Sequence, residues 1–390
     1  MGRAAFVPCS RATWRAPWEM YAALRDHDPV HHVEAGDYWV LSRFDDVFAA
    51  ARDTTTFSSA QGLTFEYGER QKAGLDEAAP MVMMDPPEHT AFRRLVGKGF
   101  TPRHVQAIEP VVRAFVVERI ERLRAAGSGD IVRELFKPLP SMVVASYLGV
   151  PEADWPRFDG WTEKIVAANA EGDPLQAGET VGELFRYFSD LIEEKRAHPG
   201  DDTISALVAT GEADVPIMQV LGFAFTMVTG GNDTTTGLLS TGAELLTRCP
   251  DQRAKLLADP TLLPSAIEEM LRLSAPVQGL ARTTTGPVEL HDREIPAGKK
   301  VLLLYGSANR DPRRFGPTAE DFEADRSIET IMTFSYGAHH CLGAAAARLE
   351  ARVALEELLA RCPDFSVDWE AGTFGPGHFV RRYDTLPFTA

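Results

Sequence analysis

Apolar side chains recur at spacings of three and four through most of the chain between Pro87 and Arg361. This period is typical of amphipathic helices, and clusters of proline, glycine and aspartate such as residues 198–202 interrupt it. Shorter apolar segments nearer the two ends favour strands. The sequence therefore predicts a mainly α fold with small β-sheet regions. The elements predicted outside the helical stretch, or within its later part, are helices Glu19–Arg25 and Phe44–Arg52, strands His31–Glu34, Tyr38–Leu41, Val288–Leu290 and Val301–Leu304, and a turn at Ile295–Gly298.

The stretch Phe57–Pro80 has little periodicity of either kind. A loop of this length inside a compact protein usually covers or lines a binding site, or is disordered. No internal repeat and no long linker rich in glycine, serine or proline divides the chain. We therefore expect residues 1–390 to form a single domain.

Charge and cysteine content narrow the function classes. The 390 residues include 40 basic and 56 acidic side chains, a net charge of -16, which argues against a nucleic-acid partner. We expect no signal peptide and no membrane anchor, because the longest apolar run, Val220–Val228, is too short to span a bilayer. The four cysteines form no CxxC pair, which favours a reduced, cytoplasmic protein.

The most unusual local sequence is the cysteine loop, residues 334–343, which reads Phe-Ser-Tyr-Gly-Ala-His-His-Cys-Leu-Gly. A strongly periodic helix, Ala344–Arg361, follows it, so Cys341 lies at a helix start. Unpaired N–H groups there lower the pKa of a thiol, and Gly337 and Gly343 let the backbone fold tightly around the sulfur. We expect Cys341 to be a nucleophile or a metal ligand; the structural alternative is a buried cysteine beside a helix. Zinc is disfavoured because no second ligand motif accompanies the site.

The pattern Phe-x-x-Gly-x-His-x-Cys-x-Gly in this loop resembles the haem-binding loop of the cytochrome P450 family. The resemblance implies that Cys341 is the axial thiolate of haem iron, with Gly343 part of the cofactor-binding loop, and that His339 reaches a haem propionate. Ser335 departs from the family pattern, which most often has glycine there.

A second candidate lies in a long predicted helix, Asp214–Arg248, with Asp214 as its cap and Pro216 in its first turn. Residues 230–235, Gly-Gly-Asn-Asp-Thr-Thr, interrupt its apolar character. Two glycines there serve either close helix packing or a local kink that opens a groove for a small ligand. The segment is similar to the family's central helix motif, which implies that Asp233 and Thr234 order water and relay protons to the oxygen site.

Two further patterns recur in the family's order. Glu269 and Arg272 lie one turn apart in the predicted helix Ser265–Leu273. Alone, such a pair is usually a solvated surface contact, but it resembles the family's Glu-x-x-Arg motif, which implies a structural network with Phe322–Arg326.

A helix opening at Asp85-Pro86-Pro87 places His89 and Arg93 on one face, an arrangement that suits a carboxylate partner or an exposed basic surface. The surrounding sequence resembles the family's propionate-binding helix, and Arg282 resembles a third propionate ligand.

The resemblance implies the cytochrome P450 fold, with haem b between the central helix and the helix that follows the cysteine loop. It also implies a monooxygenase that inserts one atom of O2 into an organic substrate. No flavin or dinucleotide motif is present, so a separate reductase system must supply the electrons. The resemblance to soluble bacterial members of the family implies that this system is a ferredoxin and an NAD(P)H-dependent ferredoxin reductase. Arg94, Lys98 and Arg348 are candidate contacts for that partner near Cys341, or ordinary surface charges.

Two other functions stay open at this point: peroxide-driven or non-hydroxylating chemistry on the same fold, and a non-catalytic haem protein that binds a gas. The substrate itself is not determined. By resemblance, the pocket positions are mostly apolar, which predicts a hydrophobic small molecule. They are Leu63, Phe65, Val82, Phe225, Val228, Val277, Gln278 and Leu280.

Overall fold

The computed structural model describes residues 4–72, 79–171, 178–208 and 216–390. Helices dominate, as predicted, and most of them lie in the stretch with the helical apolar period. Their bounds are α1 Trp18–His27, α2 Phe44–Arg52, α3 Glu69–Lys72, α4 Glu88–Val96, α5 Pro102–Ala107, α6 Glu109–Ala126, α7 Pro138–Tyr147, α8 Trp155–Glu171, α9 Gly178–Ala197, α10 Thr203–Val208, α11 Ile217–Arg248, α12 Pro250–Ala258, α13 Leu263–Ser274, α14 Tyr305–Ala308, α15 Pro312–Phe315 and α16 Ala344–Arg361.

The strands form small sheets, and the largest joins the two ends of the sequence. Its order is β1-β2-β8-β5-β3, in which β2 and β8 are parallel and the other neighbours are antiparallel. The strands are β1 Val30–Val33, β2 Tyr38–Leu41, β3 Phe57–Ser58, β4 Ser128–Asp130, β5 Leu280–Thr284, β6 Val288–Leu290, β7 Arg293–Ile295, β8 Lys300–Leu303, β9 Ser366–Val367, β10 Thr373–Phe374, β11 Tyr383–Thr385 and β12 Pro387–Thr389.

Most predicted bounds agree with the structure to within two residues. The stretch Phe57–Pro80 is less irregular than predicted, because it contributes β3 to the sheet and forms the short helix α3; residues 73–78 lie outside the described part. The long helix begins at Ile217 with Pro216 as its N-cap, so the predicted position of Pro216 inside the first turn is wrong. Asp214, predicted to cap this helix, also lies outside the described residues.

Helix α11 lies at the centre of the core. Its 32 residues span about 48 Å at 1.5 Å per residue. Leu238 and Leu239 belong to a hydrophobic cluster shared with α6, α13 and α16, whereas Val220 and Phe223 belong to a second cluster with α7 to α9. Helix α11 therefore separates two packed regions, and polar residues in its middle are enclosed by both.

Candidate active site

The cysteine loop packs tightly against α2. Cys341 donates its backbone N–H to the carbonyl of Phe334 at 2.8 Å, and His340 donates to Gly337 at 3.1 Å. At Gly337 φ is +71°, and a Cβ there would lie 3.3 Å from the backbone of Ala51 and Arg52. Glycine is therefore required at this position, both for the backbone conformation and for the close approach of α2.

Ser335 adopts φ of +56°, the left-handed conformation that favours glycine. Its hydroxyl accepts a hydrogen bond from the Tyr305 hydroxyl at 3.2 Å, and both residues are buried. The serine that departs from the family pattern thus keeps the backbone conformation of a glycine and adds one side-chain contact.

Cys341 is accessible to solvent although protein atoms surround it on most sides. Burial raises the pKa of its thiol above the ordinary value, whereas the backbone N–H groups of Gly343 and Ala344 and the charges of Arg93 and Arg348 lower it. The predicted fall in thiol pKa is therefore wrong for the protein alone, because desolvation outweighs the helix start. An accessible group enclosed by protein lies on the wall of a recess.

Four basic side chains from three distant parts of the chain meet beside this loop. The rings of His89 and His339 lie 4.2 Å apart, and Arg93 donates to the carbonyl of His340 at 2.5 Å. Arg282 is buried on β5, and the only hydrogen bond its guanidinium makes within the described residues is to the adjacent carbonyl of Ala281. Burial, together with the charges of Arg282, His89 and Arg93, lowers the pKa of His339 to about 3.

This cluster has the chemistry of an anion site. His89 is 1% exposed, and its Nδ1 has no hydrogen-bond partner within the described residues. The carboxylate nearest to it, Asp85, is already bound by Ser58 and by the backbone of Ser59. Buried N–H donors that have no partner among the described residues, beside the charges of Arg93 and Arg282, suit an external anion. The donor set therefore fits a group that carries carboxylates, as the two propionates of haem do.

Asp233 and Thr234 lie in the middle of α11 with different surroundings. Asp233 is 8% exposed, and its Oδ1 lies 2.6 Å from Nε of Arg382. Burial raises the pKa of the Asp233 carboxyl, and the charge of Arg382 opposes that rise. The Thr234 hydroxyl is more accessible and donates to the carbonyl of Gly230 at 2.9 Å. An acid and an alcohol are thus adjacent on the helix, the acid paired and the alcohol accessible.

The sequence left two roles open for the glycines before Asp233, close helix packing or a local kink, and the structure gives the two glycines different surroundings. A Cβ at Gly231 would lie 2.8 Å from Val144 of α7, so this glycine serves close helix packing. A Cβ at Gly230 would have no neighbouring atom of the described residues within 4 Å. Helix α11 is continuous from Ile217 to Arg248, so the predicted kink does not break the helix. The Thr234 hydroxyl donates to the Gly230 carbonyl and so competes with the backbone N–H for it, as in bent helices.

Glu269 and Arg272 are completely buried on α13. Arg326, at the end of the segment predicted to complete their network, places its Nε 2.9 Å from Oε1 of Glu269. Arg272 also donates to the carbonyls of Asn309 and Ala319 at 2.7 and 2.6 Å. The pair thus ties α13 to the chain that leads into the cysteine loop.

The predicted substrate positions separate into accessible and enclosed residues. Val228 has no exposed surface and packs in the core, so its assignment to the pocket wall is wrong. Gln278 is 1% exposed; its amide donates to the carbonyls of Ser274 and Ala275 and accepts from Tyr21, so it cannot contact a substrate either. The remaining predicted positions keep partly accessible side chains: Leu63, Phe65, Val82, Phe225, Val277 and Leu280.

The basic residues suggested as contacts for the ferredoxin differ in their exposure and in their ion pairs. Arg94 and Lys98 are exposed on and just after α4. Arg348 instead forms a two-pronged ion pair with Glu268 at 2.5 and 2.9 Å and lies 4.7 Å from the ring centroid of Phe334.

The sequence analysis did not identify Arg382, the ion-pair partner of Asp233. The only signal was a pair of arginines, 381 and 382, within a C-terminal segment of alternating apolar residues.

Comparison with known proteins identifies the family. Cytochrome P450 130 of Mycobacterium tuberculosis is 60% identical over 393 residues, covering 98% of this chain and 97% of that relative. The chain belongs to the cytochrome P450 family. The family's sequence profile, described as Cytochrome P450, matches residues 179–368. The P450 fold and the identity of its relatives assign the chain to the P450 monooxygenases, enzymes that bind haem.

Solved P450 structures extend this agreement to the whole fold. Cytochrome P450 CYP109Q5 from Chondromyces apiculatus superimposes with a TM-score of 0.87 at 34% identity, covering 97% of this chain and 96% of that chain. CYP109E1 from Bacillus megaterium, crystallised with testosterone, gives a TM-score of 0.85 at 33% identity, covering 96% and 99%. Within the described residues, no helix combines the length and hydropathy needed to cross a bilayer.

Proposed function

We propose that this P450 oxidises a hydrophobic small molecule, with Cys341 as the thiolate ligand of haem and with electrons from a separate ferredoxin and ferredoxin reductase. The observation that supports this most directly is the accessible thiol of Cys341 beside buried basic side chains, among which His89 Nδ1 has no hydrogen-bond partner in the described residues. Haem iron accepts a cysteine thiolate as its protein ligand, and carboxylates such as the propionates fit the basic cluster.

His89, Arg93, Arg282 and His339 would hold the propionates. Arg93 has a second task, because its bond to the His340 carbonyl ties α4 to the loop that carries the thiolate. When bound, haem supplies the activation of O2, which no protein side chain can perform. The protein's part is to fix the cofactor, protect the thiolate and deliver protons.

Asp233 and Thr234 would deliver those protons. Burial raises the pKa of the Asp233 carboxyl, so this acid binds a proton more readily than an exposed one, and a hydroxyl can pass the proton on. The intact acid and alcohol favour use of O2 over peroxide, since peroxide already carries the protons that reduction of O2 requires.

Electrons would enter through the face formed by α5, α13 and α16. A surface depression of about 590 Å³ lies there, lined by Phe100, Val105, Ile267, Leu349, Arg348 and Arg352 among others. Arg348 lies over the ring of Phe334, whose carbonyl accepts the N–H of Cys341. The route from this surface to the thiol is therefore short. Exposed Arg94 on α4, Lys98 just after it and Arg103 on α5 suit an acidic ferredoxin.

The substrate would lie against the accessible apolar residues Leu63, Phe65, Val82, Phe225, Val277 and Leu280. Aromatic and aliphatic walls favour a hydrophobic molecule without charge. The testosterone complex of CYP109E1 shows that a neighbour of this fold accepts such a molecule.

Reconstitution with a ferredoxin, its reductase and NADPH tests this function. Addition of a hydrophobic substrate should accelerate NADPH oxidation and yield a product with one added oxygen atom, labelled when 18O2 is used. Product formed only with peroxide would instead favour the peroxide-driven alternative. Binding of gases with no substrate-dependent NADPH oxidation would favour a non-catalytic haem protein.

A further inference from the structure

The carboxylate of Asp233 is paired with a residue from the C-terminal segment of the chain. Arg382, which precedes β11, places Nε 2.6 Å from Oδ1 of Asp233, and the two side chains are 5% and 11% exposed. The same guanidinium places Nη1 3.1 Å from Oδ1 of Asp384, whose side chain is 43% exposed. Arg382 therefore bridges a buried carboxylate and a solvent-facing one.

The backbone fixes the location of Arg382. Its carbonyl accepts from Gly375 at 3.0 Å, and the adjacent Arg381 donates to Pro276 at 2.8 Å. One turn after Asp233, Gly237 brings α11 so close that a Cβ there would lie 3.5 Å from Cβ of Arg382. The backbone of Arg382 is thus held in place, and only its long side chain is able to rearrange.

The guanidinium of Arg382 lies close to the Asp233 carboxylate, but its Nε–H group does not point at the carboxylate oxygen. Although Nε and Oδ1 lie 2.6 Å apart, the Nε–H group makes no hydrogen bond with acceptable geometry. The contact is therefore an ion pair in which the attraction between opposite charges, rather than a well-aligned N–H bond, joins Arg382 to Asp233.

We infer that Arg382 is a positioning residue that favours the ionised form of Asp233 and shares its charge with Asp384, so that the proton affinity of Asp233 depends on the balance between them. The inference rests on the relay role proposed above for Asp233 and Thr234. An acid held permanently by a buried arginine would stay ionised, and one with no arginine would stay protonated. A bridge to a solvent-facing carboxylate allows Asp233 to take up a proton and release it.

The charged groups around Asp233 give each substitution a defined direction. Arg382 and Lys137 favour the ionised carboxylate, whereas Asp384 and burial disfavour it. Arg382→Gln should therefore increase the proton affinity of Asp233, and Asp384→Asn should decrease it. A purely structural role of the segment would not produce shifts of opposite sign.

The test uses the haem-loaded protein and two readouts. The first is the infrared carboxyl band of Asp233 across a pH series, identified by its absence in Asp233→Asn. The second is the pH midpoint of substrate-coupled turnover with the fraction of electrons lost to peroxide. We expect Arg382→Gln to raise both midpoints by about one pH unit, a tenfold change in proton affinity, and Asp384→Asn to lower them. Arg382→Lys should restore most of the shift.

Arg248→Gln is the matched control, because Arg248 pairs with Glu244, another buried carboxylate of α11, at 2.8 Å. It should move neither midpoint. Unchanged midpoints in Arg382→Gln and Asp384→Asn, with turnover impaired in Asp233→Asn, would overturn the inference about Arg382 alone. Unimpaired turnover in Asp233→Asn would instead overturn the relay. If Arg382→Gln fails to bind haem, Asp384→Asn on the exposed side decides the question.

Discussion

Arg272 and Glu269 lie one turn apart on α13 with no exposed side-chain surface, joined by two contacts of 2.6 and 2.7 Å. Each charge has further partners, Arg326 for the carboxylate and backbone carbonyls for the guanidinium. All these partners belong to the chain between α13 and the cysteine loop. The pair thus fixes the support on which the loop rests.

Glu269→Gln should lower the free energy of unfolding by about 3 to 5 kcal/mol, because it leaves the Arg272 charge buried without a counter-ion. Urea denaturation of the variant measures the loss. The control is Glu193→Gln, which removes an exposed pair with Arg196 at the same spacing and should cost less than ~1 kcal/mol. Equal losses in the two variants would contradict the buried network.

Glu350 on α16 should make stability depend on pH. Burial raises the pKa of this carboxyl from 4.5 to about 8, and its Oε2 has no hydrogen-bond partner within the described residues. The folded form therefore favours the neutral acid, so stability is full below pH 4.5 and falls as the pH rises through 8.

The substitution Glu350→Gln should remove this loss, stabilising the protein relative to the wild type by up to ~5 kcal/mol at pH 9 and by almost nothing at pH 4. Thermal unfolding across that range measures the difference. A constant difference between the two proteins at all pH values would show that Glu350 is ionised in the fold.

His89 offers a test of the cationic cluster that spares the rest of the fold. Phenylalanine keeps a ring against His339 and removes Nδ1, an atom with no protein partner among the described residues. His89→Phe should therefore release haem to apomyoglobin at least ~10-fold faster, the loss of one charge-assisted hydrogen bond. The unfolding temperature of the haem-free protein should hardly change. Unaltered haem release would remove His89 from the propionate site.

Ser335 and Tyr305 should be coupled in a double-mutant cycle. In the wild-type protein, Tyr305→Phe should cost about 1 kcal/mol, because it removes the hydroxyl bond to Ser335. In the Ser335→Gly background the tyrosine hydroxyl is buried without that partner, so the same change should be neutral or stabilising. Additive free energies from urea denaturation would show that the 3.2 Å contact contributes nothing.

The sequence carried enough local information to predict the helices and the motifs. Helix α16 and strand β2 were predicted at their observed bounds because their apolar patterns are complete within the segment itself. The residues of the cysteine loop were recognisable because glycine and cysteine are constrained there by backbone geometry at Gly337.

Properties that depend on distant neighbours could not be predicted in this way. Arg382 reaches Asp233 only through the packing of the C-terminal segment on α11. Val228 and Gln278 lie close to proposed pocket residues in the sequence, but tertiary packing buries their side chains in the protein. The thiol pKa of Cys341 depends on desolvation, which a local helix-start argument does not include.

The central claim is that Cys341 binds haem iron as a thiolate. The most direct test is the absorption difference spectrum of the reduced protein with carbon monoxide, recorded beside Cys341→Ala. The account predicts a red-shifted, thiolate-type Soret band in the wild-type protein and its loss in the variant. A histidine-type band in the wild-type protein, or a thiolate-type band that survives in Cys341→Ala, would contradict it.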